Sequence, residues 1–259
     1  MIGGLLLLWP QGWSRERKST ATMAVAALGL VLFLLVLGHL LAAAPDPIGP
    51  NAAEFAKGTW VTLELTILSG LFGIAVGVLA AVARMSRLPP LRWIAGFYIW
   101  VFRGTPLLVQ ILFVYFALPG WLSISDFSSA TLALGLNVGA YNAEAIRAGL
   151  QAVPKGQTEA ARSLGLKPLQ TFGYVVFPQG IKIALPPLVN NVVSLLKDSS
   201  LAYSIGVIEL ANVGGRVHAS TFQPVPIFTT TAIIYLALTT LLTQISGAIE
   251  HRLDVEGRI

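Results

Sequence analysis

Six apolar stretches, each about as long as a bilayer is thick, constrain this chain before any motif is considered. They cover residues 22–44, 60–83, 93–118, 128–150, 183–210 and 227–249. A helix needs roughly 20 such residues to cross the hydrocarbon core. In lipid the backbone must satisfy its own hydrogen bonds, so continuous apolar runs fold as helices. A β-barrel requires alternation of apolar and polar residues, which these runs lack. The expected fold class is all-α integral membrane with about six transmembrane helices. Charge content agrees: only 11% of residues are charged, against about 25% in soluble domains.

The formal charge of +5 would suggest nucleic acid in a soluble protein. Here the basic residues flank the apolar stretches and read as topology determinants. Arg15, Arg17 and Lys18 precede the first stretch, and Arg84, Arg87 and Arg92 separate the second from the third. Lys155, Arg162, Lys167 and Lys182 separate the fourth from the fifth, and Arg252 and Arg258 follow the sixth. The opposite side holds Lys57 and Arg216. Positive-inside bias therefore places both termini and the 151–182 loop in the cytoplasm of a multi-pass membrane protein. Residues 5–9 are too short to span, and the charges follow them, the wrong order for a cleaved signal peptide. Pro45, Pro47, Gly49 and Pro50 mark a boundary, giving residues 1–50 as one unit and 51–259 as the main transmembrane domain.

Some chemistries are excluded. There are no cysteines, so no disulfide, thiolate metal site or cysteine nucleophile. His39, His218 and His251 show no ligand spacing, and no metal or catalytic residue is expected. No Gly-Lys dipeptide occurs, so a phosphate-cradling P-loop is missing. If ATP drives this protein, another chain hydrolyses it.

A polar stretch lies stranded between the fourth and fifth apolar runs: Glu159-Ala160-Ala161-Arg162-Ser163-Leu164-Gly165. Pro154 opens a short helix here and Gly165 stops it. Ala160, Ala161 and Leu164 give a small, partly apolar face, while Glu159 and Arg162 give charge. Two readings stand: a docking surface for a soluble partner, or a helix lying on lipid headgroups.

Glu159-Ala160-Ala161, three residues, Gly165, nine residues and Val175-Val176-Phe177-Pro178 resemble the EAA signature of ABC importer permeases. Val175 and Phe177 replace the usual Ile and Leu, and both keep the position apolar. Arg103-Gly104-Thr105-Pro106-Leu107-Leu108-Val109-Gln110 is similar to a segment of the polar amino acid permease family. So are Gly139-Ala140-Tyr141-Asn142-Ala143-Glu144 with Arg147-Ala148-Gly149, Val153-Pro154-Lys155-Gly156-Gln157, Pro186-Pro187-Leu188-Val189-Asn190-Asn191 and Lys197-Asp198-Ser199-Ser200-Leu201. Together they cover about residues 58–255.

The resemblance implies a five-helix importer permease core plus one extra N-terminal helix, with a cytoplasmic coupling helix. It implies a permease subunit of the bacterial plasma (inner) membrane that pairs with a second permease, the same or a related chain. Two cytosolic ABC ATPases, carrying ATP and Mg, would dock on the coupling helices. A periplasmic or lipid-anchored amino acid binding protein would deliver cargo. The ATPase-coupling residues would be Glu159, Ala160, Ala161, Arg162, Leu164 and Gly165.

Polar residues within the stretches are candidates for a substrate path, since a charge at the bilayer centre costs about 2.5–3.5 kcal/mol on insertion scales. Lys197-Asp198-Ser199-Ser200 is the densest group, read as mid-way along the fifth stretch. Asn190, Ser194 and Lys197 share one helical face, and Asn191, Ser194 and Asp198 share another. Asp198 offers an acceptor for an ammonium; Ser199, Ser200 and Asn190 offer hydrogen bonds. The alternative is that they bridge helices. Arg103 and Thr105 sit where Gly and Pro break a span, exposing backbone dipoles. Arg103 either meets a carboxylate or reaches the inner interface to pair with Glu144 or a loop acid. Glu64 with Thr59, Thr62 and Thr66 reads as a polar strip, for path or packing. Glu209 reads as part of an outer gate or as an exposed interfacial acid. Gly70, Gly73 and Gly77 read as a close-packing face.

Two rivals remain. In an ion-gradient-driven secondary transporter, Glu64, Glu144, Asp198 and Glu209 would relay protons. A membrane enzyme would need a nucleophile-base pair or metal ligands, and the sequence offers neither.

Overall fold

A computed structural model describes residues 4–117 and 124–253, all helices and connections with no strand among the described residues. Arg258 and the last residue of the 93–118 stretch lie outside them. The helices are α1 (Arg15–Ala42), α2 (Ala52–Met85), α3 (Pro89–Gly104), α4 (Leu107–Ala117), α5 (Asp126–Gln151), α6 (Lys155–Ser163), α7 (Pro168–Thr171), α8 (Phe177–Asp198), α9 (Leu210–Thr221) and α10 (Pro224–Leu253). A wider, π-type turn at Phe172–Val176 joins α7 to α8, and a 3-10 turn at Ser199–Ile205 continues α8.

Four helical segments are long and apolar enough to cross a membrane: Arg15–Ala42, Gly49–Met85, Pro168–Ile205 and Pro224–Arg252. The third apolar stretch is broken. There α3 and α4 meet at 111° and make a fifth span only when taken together. The fourth stretch folds as α5, a single helix of 26 residues, yet it is too polar to qualify on the same measure. The reason is its surroundings. It packs against α2, α3, α4 and α8, so its neighbours are protein rather than lipid.

Glycine sets the closest of these contacts. A Cβ on Gly73 of α2 would stand 2.3 Å from Val138 Cγ1 and 2.9 Å from the Gly135 carbonyl of α5. One on Gly77 would stand 2.6 Å from Asn142 Cβ. Gly73 and Gly77 thus do the packing expected of them, whereas a Cβ at Gly70 would make only ordinary contact with Leu195. At the other end of α5, Gly149 meets the Gly180 carbonyl and Ala184 of α8, and Asn191 Nδ2 donates to Asn142 Oδ1 at 2.9 Å.

The expected strip on α2 divides. Thr59, Thr62 and Thr66 are buried. Glu64, on the opposite side of the helix, is exposed and accepts from Trp60 Nε1 at 3.1 Å. Steps of 100° per residue put 59, 62 and 66 together and leave 64 out.

Outside this core, α1 lies along α10. Their ends are joined by Ser19 Oγ to His251 Nδ1 at 3.0 Å and by Arg252 to Glu16 at 2.9 Å. Leu28, Leu32, Leu35 and Leu40 on the far side of α1 are exposed.

Candidate functional site

The break between α3 and α4 builds the site. Pro106 has no N–H to continue the ladder, and Gly104 ends α3. Carbonyls freed by the break need donors. Gln110 Nε2 donates to the carbonyls of Phe102 and Thr105 at 2.9 and 3.1 Å, and to Thr105 Oγ1 at 2.8 Å. Asn137 Nδ2, reaching over from α5, donates to Phe102 O at 3.1 Å and Gln110 Oε1 at 2.9 Å. The sequence reading left these carbonyls open to a ligand. Two amides, neither of them among the expected site residues, take them instead.

Below the bend lies a cavity of about 410 Å³. Thr105, Asn137, Tyr141, Asn191, Ser194 and Asp198 supply its polar lining, and Pro106, Leu107, Val138, Leu195 and Leu201 the apolar remainder. Of the two faces on α8, the one carrying Asn191, Ser194 and Asp198 turns inward. Among the described residues, no hydrogen bond or ion pair engages the Asp198 carboxylate, and its neighbour Lys197 tempers its charge through space. The cavity therefore offers one carboxylate, three neutral hydrogen-bonding side chains on α5 and α8, and an aromatic wall.

The other expected path residues part company here. Asn190 and Lys197 are exposed on the adjoining face of α8 and do not line the cavity. Ser199 is buried and Ser200 partly so, and both hydroxyls turn back onto their own helix, donating to the Leu196 and Lys197 carbonyls at 2.7 and 2.6 Å. Neither lines the cavity. The helix also begins earlier than the hydropathy suggested, so Lys197 and Asp198 stand at the end of α8 rather than mid-span. Arg103 lies 5.3 Å over the Tyr141 ring. It makes no salt bridge to Glu144, which pairs with Arg147 one turn along α5.

Two further residues depart from expectation. Glu209 is neither exposed nor part of a span. It is fully buried between the last two spans, where it caps α9 by accepting from the N–H groups of Ala211 and Asn212 at 2.8 and 2.7 Å. Tyr235 of α10 donates to it at 2.8 Å, and Leu210 N donates to Thr62 Oγ1 of α2 at 3.1 Å. Burial pushes its carboxyl above the ordinary range, and the Ala211, Asn212, Tyr235 and Thr62 donors offset this only in part. Glu209 thus joins α2, α9 and α10.

The polar stretch forms α6 as its residues dictate. Pro154 caps the start. At the end Gly165 adopts φ +84°, a conformation glycine takes without steric cost. Its N–H bonds Arg162 O at 2.9 Å, and Leu166 N–H bonds Ala161 O at 3.2 Å, a Schellman closure. Ala161 is buried against the protein and is not offered to a partner. Glu159, Ala160 and Arg162 are exposed. Leu164 is 84% exposed and Leu169, just beyond, 82%.

Among the described residues no three His, Asp or Glu side chains gather as a metal site. A bundle of membrane-crossing helices around a broken span and a polar cavity defines a membrane permease. Residues 73–255 match the family described as the binding-protein-dependent transport system inner membrane component, and the chain belongs to it. It is a multi-pass permease subunit of that transport class, which disfavours the ion-gradient rival. The chain is 41% identical over 199 residues to the L-cystine transport system permease protein TcyB of Bacillus subtilis (strain 168), covering 76% of this chain and 85% of that one. It is 36% identical over 215 residues to the glutamine transport system permease protein GlnP of Escherichia coli (strain K12), covering 80% and 96%. In structure it is similar to a crystallised amino acid ABC transporter with histidines, at TM-score 0.75 and 37% identity, over 78% of this chain and 95% of that one. The inward-facing MetNI methionine ABC transporter shares the fold, at TM-score 0.65 and 20% identity. The family match begins after α1.

Proposed function

We propose that this chain forms the translocation path of an ATP-driven amino acid importer and couples that path to a separate ATPase. The observation that carries the reading is the cavity at the α3–α4 break. A zwitterion needs an acceptor for its ammonium and donors for its carboxylate. Asp198 supplies the first; the Ser194 hydroxyl and the second N–H of the Asn191 amide supply the second. The relatives named for L-cystine and glutamine transport support an amino acid cargo.

The chain itself performs no catalysis. A pair of cytosolic ABC ATPases binds ATP and Mg and docks on α6 through Glu159, Ala160, Arg162 and Leu164. Gly165 fixes the end of that helix, and Ala161 anchors it to the bundle. A second permease subunit, the same or a related chain, completes the path, and an external binding protein delivers cargo. Both termini face the cytoplasm of a bacterial plasma membrane, a placement that the distribution of Lys and Arg supports. ATP-driven closure of the ATPases moves α6, and the helices rooted beside it carry that motion to the cavity.

The test is Glu159→Lys in the tagged protein purified from membranes. Insertion should be unchanged, while the co-purifying ATPase and amino acid uptake fall to background. Normal ATPase recovery and uptake would remove α6 from the coupling role.

A further inference from the structure

A second cavity, of about 340 Å³, opens where the C-terminal ends of α2 and α5 meet, lined by Arg84, Met85, Arg147 and Gln151. It is separate from the cavity at the bend, and α5 connects the two. Asn137, Tyr141, Glu144, Arg147 and Gln151 recur at i, i+4, i+7, i+10 and i+14, which is one stripe of a helix. The first two line the upper cavity and the last two the lower.

The layer between them is charged. Arg103 covers the Tyr141 ring. Arg147 grips the Glu144 carboxylate with two donors, Nε to Oε2 at 3.0 Å and a terminal nitrogen to Oε1, and reaches Gln151 with a third. The Glu144 carboxylate also feels the positive charges of Arg103 and Arg84. From the upper cavity downward the signs alternate: Asp198, then Arg103, then Glu144, then Arg147 with Arg84. The Glu144 and Arg147 side chains are each 29% exposed. That accessibility lets the charged groups of a cargo approach both ions.

We propose that the Glu144–Arg147 pair is an exchangeable layer between the two cavities. Cargo leaving the upper cavity replaces it, placing its ammonium on Glu144 and its carboxylate on Arg147. The lower cavity then receives the zwitterion, with Arg84 and Gln151 as further donors to the carboxylate. Exchange of this kind never leaves a bare charge, because each ion loses one partner as it gains another. The lower cavity also stands at the root of α6, which begins four residues after Gln151. Displacement of that helix therefore acts first on the residues that receive the cargo. This inference rests on the amino acid reading above.

The test uses the intact complex, with its ATPase and binding protein, reconstituted in proteoliposomes. Uptake of radiolabelled L-cystine and of each proteinogenic amino acid in turn identifies which the wild type accumulates. For that cargo, Arg147→Gln and Glu144→Gln should each lower the maximal uptake rate at least about tenfold, with KM changed less than about twofold. Arg147→Lys should regain part of the rate. Complex yield and thermal stability should stay at wild-type level. Uptake within twofold of wild type, or losses that track yield and stability, would overturn the exchange and leave a merely structural pair. A wild-type complex that accumulates none of them would overturn the amino acid reading itself, a result distinct from the other two.

Discussion

Helices α1 and α5 are nearly the same length, 28 and 26 residues, and live in different solvents. The most apolar window of α1 has a mean hydropathy of 2.6, and only 11% of that window is buried in protein. Its outer leucines, Leu28, Leu32, Leu35 and Leu40, touch little of this chain, and a face of that kind asks for apolarity and little else. In α5 the buried positions include Ser129, Asn142 and three glycines. Such a helix satisfies its neighbours rather than the bilayer. Small residues admit α2 and α8, the Asn137 amide reaches a carbonyl of the broken span, and Glu144 pairs with Arg147 one turn on. A low hydropathy in a long membrane helix is therefore informative, because it marks the helix that protein has taken out of lipid.

One substitution made twice should separate the two environments. Gly73→Ala, on the α2 face against α5, places a Cβ 2.9 Å from a backbone carbonyl that cannot yield. It should cost about 2–3 kcal/mol, the upper range for overpacking, read as a drop in thermal unfolding temperature in detergent. A loss below about 0.5 kcal/mol would mean that the α2–α5 contact is looser than its geometry. The next effect concerns chemistry rather than packing. Asp198→Asn removes the only carboxylate among the described residues that line the upper cavity. Uptake should fall about tenfold, equivalent to about 1.4 kcal/mol, with yield and melting unchanged. A variant that transports normally would take Asp198 off the path.

The α1 side should respond less. Leu35, 68% exposed, makes little contact within this chain. Leu35→Ala should change stability by less than about 0.5 kcal/mol, and a larger loss would reveal a protein neighbour on that face. The smallest loss is expected at the partner of the first. At Gly29 the new Cβ would meet only Leu241 Cδ2, at 3.3 Å, the end of a flexible side chain. Gly29→Ala should be neutral, or stabilising by up to about 0.5–1 kcal/mol through helix propensity. Equal losses at Gly29 and Gly73 would erase the distinction between the two helices.

The same distinction explains which site residues were legible in advance. Thr105 and Asp198 stood out because polar groups are rare in apolar runs, and both line the cavity. Ser199 and Ser200 stood out equally, yet their hydroxyls close onto the helix that carries them. Composition counts a hydroxyl but does not tell where it points. Gln110 and Asn137 were passed over, although amides within spans carry the same signal of cost. Their partners, the carbonyls at the break, exist only once α3 and α4 have turned away from each other.

By itself the sequence determined that the chain is a bundle of membrane helices, that α6 begins at Pro154 and ends at Gly165, and which family it belongs to. These follow from local chemistry: apolar length, a residue without an N–H, a residue free to take positive φ, and a motif with fixed spacing. Tertiary structure decided the rest. It bent the third apolar stretch by 111° and moved α5 from lipid into protein. It buried Glu209 as a cap joining three helices, and it turned Asn191, Ser194 and Asp198 inward while Asn190 and Lys197 stayed outside. Which face of a helix meets protein depends on what packs beside it, and residues far apart in the chain supply that neighbour.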